Sequence, residues 1–185
     1  MSFAVLPSIR AGTALVLSTG ERITMRLPPP IDQEDFYGNL LNACREEAER
    51  AVCMLLWRTG MHASTLCEGT WAFGSFTEHT IYWDRPKTGR AMQAHVTAAE
   101  HKLISRCITA GSLPTTQRAL RWRLASIGKR AGYPGITPLT LRHSRAIYLL
   151  DQGRAVNRVA SLMGCSWQVL ERHYAVIENA REVSK

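Results

Sequence analysis

Apolar positions along this chain keep two different rhythms. Between Asp32 and Arg58 they recur at helical spacing, with Phe36, Leu40 and Leu41 in one stripe and Ala48, Val52, Leu55 and Leu56 in another. That pattern predicts two successive helices, the second ended by Gly60. Ahead of them, ALVLS (14–18) and RITMRL (22–27) read as two short strands around a Thr19-Gly20 turn, followed by the stiff break Pro28-Pro29-Pro30. Residues 69–97 change character: Trp71, Phe73, Phe76, Thr80, Ile81, Tyr82 and Trp83 are β-formers, punctuated by Gly69, Gly74 and Gly89. They predict a small antiparallel sheet with a turn around Pro86-Lys87-Thr88-Gly89. Residues 98–180 return to helix. Thr137-Pro138 is a start signal, a cap followed by proline at the first helical position, and Gly153 and Gly164 are natural stops. The fold class is therefore α+β, mainly α, with helices, a three-stranded sheet, then helices.

Composition narrows the class. At 185 residues, 45% hydrophobic and 21% charged, the chain has the make-up of a globular domain and excludes disorder or a collagen-like repeat. The longest apolar run, Ala51 to Trp57, is far short of a membrane span, so no membrane association is expected. Cys44, Cys53, Cys67, Cys107 and Cys165 form an odd set without a close pair. Together with the absence of a secretory signal pattern, they point to free thiols and a cytoplasmic location. No CxxC or HExxH spacing suggests a metal site, and none is expected.

Charge says more. The formal net charge is +8, from 23 basic and 15 acidic side chains, and 19 of the basic ones are arginine. Residues 1–100 carry nine basic and eleven acidic groups, whereas residues 101–185 carry fourteen and four. Between Lys102 and Arg158 the only acid is Asp151. Such segregation is the electrostatic footprint of a polyanion-binding surface, and the arginine fork suits phosphate oxygens. Double-stranded DNA is the favoured partner.

The informative stretch is 137–177, TPLTLRHSRAIYLLDQGRAVNRVASLMGCSWQVLERHYAVI. It holds Leu141-Arg142-His143-Ser144, then Leu162-Met163-Gly164-Cys165-Ser166, then Tyr174 ten residues beyond Gly164. These boxes resemble the catalytic domain of the tyrosine recombinase (phage integrase) family. Thr59-Gly60-Met61-His62 is similar to that family's Thr-Gly-x-Arg box, and Asp84-Arg85-Pro86-Lys87-Thr88-Gly89 to the hairpin bearing its lysine. The resemblance covers residues 31–177, with 1–30 as a hairpin appendage and 178–185 as a tail.

It implies site-specific DNA recombination or integration without a cofactor. A tyrosine oxygen attacks a DNA phosphodiester, the phosphotyrosyl bond conserves the energy, and preorganised cations hold the developing charge. Position by position, Tyr174 matches the nucleophile, Arg142 the second arginine and Lys87 the lysine that protonates the leaving oxygen. The first arginine falls on His62, with Arg58 one turn earlier; the first histidine falls on Leu139 and the last on Cys165. Catalysis is thus assigned to Tyr174, Arg142, Lys87 and His62. The DNA-facing set is Lys87, Arg142, His143 and Arg145 with Arg121, Arg123, Lys129 and Arg130 of the basic half. Tyr174 also shares helical spacing with Trp167 and Leu170, so a core role competes with the nucleophile role. Cys165 reads as a small packing residue.

Family members usually carry a helical DNA-binding domain ahead of the catalytic one. Here about 30 residues precede the match, so affinity is expected to come from the basic half or from a homo-oligomer on DNA. Three functions stay open: an active recombinase, a catalytically degenerate DNA-binding regulator of the same fold, and a helix-turn-helix regulator reading DNA through residues 166–172 after Gly164.

Overall fold

A computed structural model describes residues 14–16, 22–24, 33–74, 79–85, 89–168 and 170. Strands β1 (Ala14–Val16) and β2 (Arg22–Thr24) pair antiparallel, Leu15 opposite Ile23. The predicted helix pair is α1 (Gln33–Ala43) and α2 (Glu47–Thr59). Helix α2 buries Ala48, Ala51, Val52, Cys53, Leu55, Leu56 and Trp57, so it is apolar on nearly every side. That is the signature of a central helix, and it explains the long apolar run. Packed around it are α1, α4 (Ala98–Thr109), α5 (Gln117–Arg130), α6 (Pro138–Asp151) and the edge of the sheet.

The sheet is β3 (Trp71–Phe73), β4 (Thr80–Asp84) and β5 (Ala91–His95), antiparallel in that order. Register places Trp83 between Trp71 and Met92. Along β4, Ile81 and Trp83 point into the core while Tyr82 and Asp84 face out, the alternation of a half-buried strand. A short helix α3 (Ala63–Glu68), which the sequence pattern did not announce, joins α2 to the sheet. Beyond α6, helix α7 (Val156–Met163) forms a second small core in which Ala146 and Leu149 meet Val159, Ala160, Met163 and Leu170.

Helix ends follow the predicted chemistry with one shift. Thr137 and Thr140 form a reciprocal cap at the start of α6, with Pro138 in its first turn. Gly60 and Gly164 end α2 and α7 in the left-handed conformation. Gly153, expected to stop α6, lies two residues past its last helical position, after Gln152. All five cysteines are free. Among the described residues no helix is long and apolar enough to cross a membrane.

Among the described residues three ion pairs join helices, and two of them, apart from the exposed Arg106–Glu47 pair, are partly buried. Arg58 on α2 donates through Nε to both carboxylate oxygens of Glu100, at 2.9 and 3.1 Å, and Glu100 also caps α4. At the α1–α2 corner, Glu49 accepts from the Arg45 N–H (2.7 Å) and from Arg130 (2.6 Å), whose Nε donates to the Ala43 carbonyl. Burial would raise the Glu49 carboxyl, but the Arg45 N–H and the Arg130 guanidinium outweigh it and hold it below its ordinary value. A depressed carboxylate adds stability that is complete above the unfolded value and fades as pH falls through the folded one. Stability should therefore drop on acidification from about pH 4.3 downward. Glu49→Gln should flatten that limb in urea melts run across pH; a limb unchanged in steepness would contradict this role.

Candidate nucleic-acid interface

Helix α6 presents the LRHS box. Its buried side holds Leu141 and Ser144, which turns Arg142 toward the junction of α2 and α7. There Arg142 donates one N–H to the Gly60 carbonyl and another to the Met163 carbonyl. Both acceptors stand at helix C-termini, where carbonyls lack intrahelical partners and the dipole favours a cation. Gly60 must be glycine: its φ is +61°, and a Cβ there would lie 2.6 Å from Met163 Cε. A guanidinium has five N–H donors, and these two contacts leave three. Burial pushes the Arg142 guanidinium below its ordinary range; Cys165 opposes that shift and nearby Arg85 adds to it. Among the described residues, no carboxylate lies within ion-pair distance of Arg142.

The β4–β5 connection approaches the same point. Arg85 Cδ lies 3.5 Å from where a Cβ on Gly164 would stand, and Arg90 donates to the Ser161 hydroxyl at 3.4 Å. The flanks of the hairpin that carries Lys87 thus rest on the C-terminal half of α7. Lys87 and Tyr174 themselves lie outside the described residues, as do Phe76 and most of the 1–30 appendage and the tail.

The remaining candidates among the described residues lie on α5, on α6 and at the cap of α3. His62 is exposed at the cap position of α3. Arg58 is held by Glu100 through its Nε. His143 is half-buried on α6. Arg145 lies over the rings of Trp57 and Tyr148, 5.7 and 5.4 Å from their centroids, a cation–π arrangement inside the helix junction. Arg123 donates to the Ser112 carbonyl at 3.1 Å. Arg130 donates to Glu49 and to the Ala43 carbonyl. Arg121 and Lys129 are exposed on α5 and share its outer side with Arg118 and Trp122, whose indole is 74% exposed. Neither the motif boxes nor the charge count singles out Arg85 or Trp122. Trp122 sits between arginines, a signal that basic residues with aromatic interleaving could have supplied.

For the helix-turn-helix alternative on 155–174, Gly164 forms the turn after α7 and Leu170 is buried against α6 and α7, as that reading expects, while 169 and 171–174 lie outside the described residues.

No family model and no curated protein matches this sequence. Solved structures do. The chain is similar to the XerA recombinase at 17% identity and a TM-score of 0.63, over 82% of this chain and 64% of that one. It is similar to the XerH site-specific recombinase bound to palindromic difH substrate in a post-cleavage complex (14% identity, TM-score 0.60, 77% of this chain and 47% of that one). The Tn1549 transposon integrase in complex with transposon right end DNA also matches (14% identity, TM-score 0.56, 78% of this chain and 60% of that one). The chain thus spans between 47% and 64% of the length of these proteins. The fold is that of a tyrosine recombinase catalytic domain: mostly helical, with a small three-stranded antiparallel sheet.

Proposed function

We propose that this chain binds double-stranded DNA along its basic C-terminal half and acts in DNA recombination or integration, with a backbone phosphate seated at Arg142. One observation carries this: a half-buried guanidinium, fixed by two carbonyls, keeps three N–H donors, and no carboxylate among the described residues neutralises it. Phosphate oxygens match that planar fork. The XerH and Tn1549 structures to which the chain is similar contain DNA, which supports the same partner here.

In the full reaction Tyr174 Oη, its proton lost to solvent, attacks phosphorus; the 3′-phosphotyrosyl bond forms as the P–O5′ bond breaks, and the 5′-oxygen leaves with a proton from Lys87, which is reprotonated from solvent. A 5′-hydroxyl of another strand reverses the step. Arg142 stabilises the charge on the non-bridging oxygens, and His62, two residues past Gly60, hydrogen-bonds one of them. Arg121, Lys129 and His143 track the neighbouring backbone, and a second copy of the chain on the same DNA would extend the contact.

A nicked duplex whose short fragment bearing the freed 5′-hydroxyl diffuses away after cleavage traps the intermediate. Wild-type protein should give a covalent protein–DNA band on a denaturing gel, and Tyr174→Phe should give none. Salt-sensitive binding without any band would instead assign the chain as a non-cleaving regulator. The observation favouring that second reading is Leu139, an apolar side chain 55% exposed in the first turn of α6, where the resemblance calls for histidine. Loss of a comparable polar group lowers rates by about 10²–10³.

A further inference from the structure

Arg85 follows β4 and its backbone closes the hairpin, its N–H donating to the Arg90 carbonyl (3.0 Å) and its carbonyl accepting from Gly89 (2.9 Å). Its half-buried side chain runs over the bare glycine at the end of α7. A Cβ on Gly164 would meet Met92 at 3.3 Å and Arg85 Cδ at 3.5 Å, so the absence of a side chain at 164 makes room for this course. The result is a second guanidinium beside Arg142. The two are close enough that Arg85 disfavours the charge on Arg142, and both favour the thiolate of Cys165 against the burial that raises it. Among the described residues, neither arginine has a carboxylate within ion-pair distance. Like charges held together without a counter-ion repel, and an anion that accepts from both relieves the repulsion. A phosphodiester offers two non-bridging oxygens, one for each fork.

We infer that Arg85 is a second phosphate-binding side chain, which with Arg142 clamps one phosphodiester of the DNA backbone. The inference rests on the reading of the Arg142 pocket as a DNA phosphate site and adds a residue to it. Neither the charge count nor the motif boxes select Arg85; the packing of the hairpin on Gly164 does.

Anisotropy titrations of the full chain against a fluorescein-labelled, mixed-sequence DNA duplex over a salt series test it. Wild-type affinity should fall steeply with salt. Arg85→Gln should bind about tenfold more weakly, with a log–log salt slope shallower by about 0.9, the value for one lost phosphate neutralisation. Arg85→Lys should fall between, since it keeps the charge without the fork. Thermal midpoints of both variants near that of wild type establish that they fold. Arg85→Gln with wild-type affinity and slope overturns the inference while leaving the pocket assignment standing. Wild-type protein without salt-dependent binding removes the pocket assignment and the inference together.

Discussion

Arg142→Ala should melt about 10 °C below the wild-type chain and lose most of its DNA affinity. The stability effect follows from the two carbonyls that Arg142 serves. Gly60 and Met163 are buried, so their oxygens have no water to turn to once the guanidinium is gone. A hydrogen bond to a charged group contributes about 1.5–3 kcal/mol, so the pair amounts to roughly 3–6 kcal/mol. In a domain of this size each kcal/mol moves the midpoint by about 2–4 °C. Arg142→Lys separates the two roles. One ammonium cannot span both carbonyls as the fork does, so the melting loss should persist while part of the DNA affinity returns. Circular-dichroism melts and anisotropy titrations read the two effects. Native stability and affinity in Arg142→Ala would contradict the role given to this side chain.

Gly128→Ala should destabilise the fold by about 3 kcal/mol, although glycine to alanine inside a helix ordinarily stabilises by about 1 kcal/mol. The sign reverses because of what lies against the helix. A Cβ at 128 would stand 2.5 Å from the Tyr133 carbonyl oxygen and 2.5 Å from Ile136 Cγ1. Ile136 is a side chain and can turn. Tyr133 O is backbone, in a loop tied back by the Tyr133 N–H donating to the Gly128 carbonyl at 2.7 Å. Relief therefore requires the whole 131–136 loop to move, and that loop sets the start of α6 at Thr137 and hence the aim of Arg142. Urea denaturation measures the change. An increase in stability would show that the loop yields freely and does not register α6.

Much of the architecture was legible in the sequence because local signals and global packing agree. The stripes on α1 and α2, the β-rich interval, the Thr137-Pro138 start and the glycine stops at 60 and 164 all match formed elements. Helix α3 was missed because six residues hold less than two turns, too few for a period to show. The α6 boundary shifted because Gln152 takes the terminal position and the left-handed residue comes one later. Site residues were less legible. Arg142 stood out by its box, but its partnership with two helix-terminal carbonyls depends on elements 21 and 82 residues away. Arg130 and Arg58 were indistinguishable from surface arginines until Glu49 and Glu100 were placed beside them. Arg85 was invisible for the converse reason: its meaning comes from the absence of a side chain at Gly164.

The most direct measurement is a structure of this chain bound to duplex DNA. One backbone phosphate should lie within about 2.9 Å of the Arg142 guanidinium nitrogens, with Lys87 and Tyr174 meeting the same phosphorus. DNA lying across another face, with Arg142 touching only Gly60 and Met163, would contradict it.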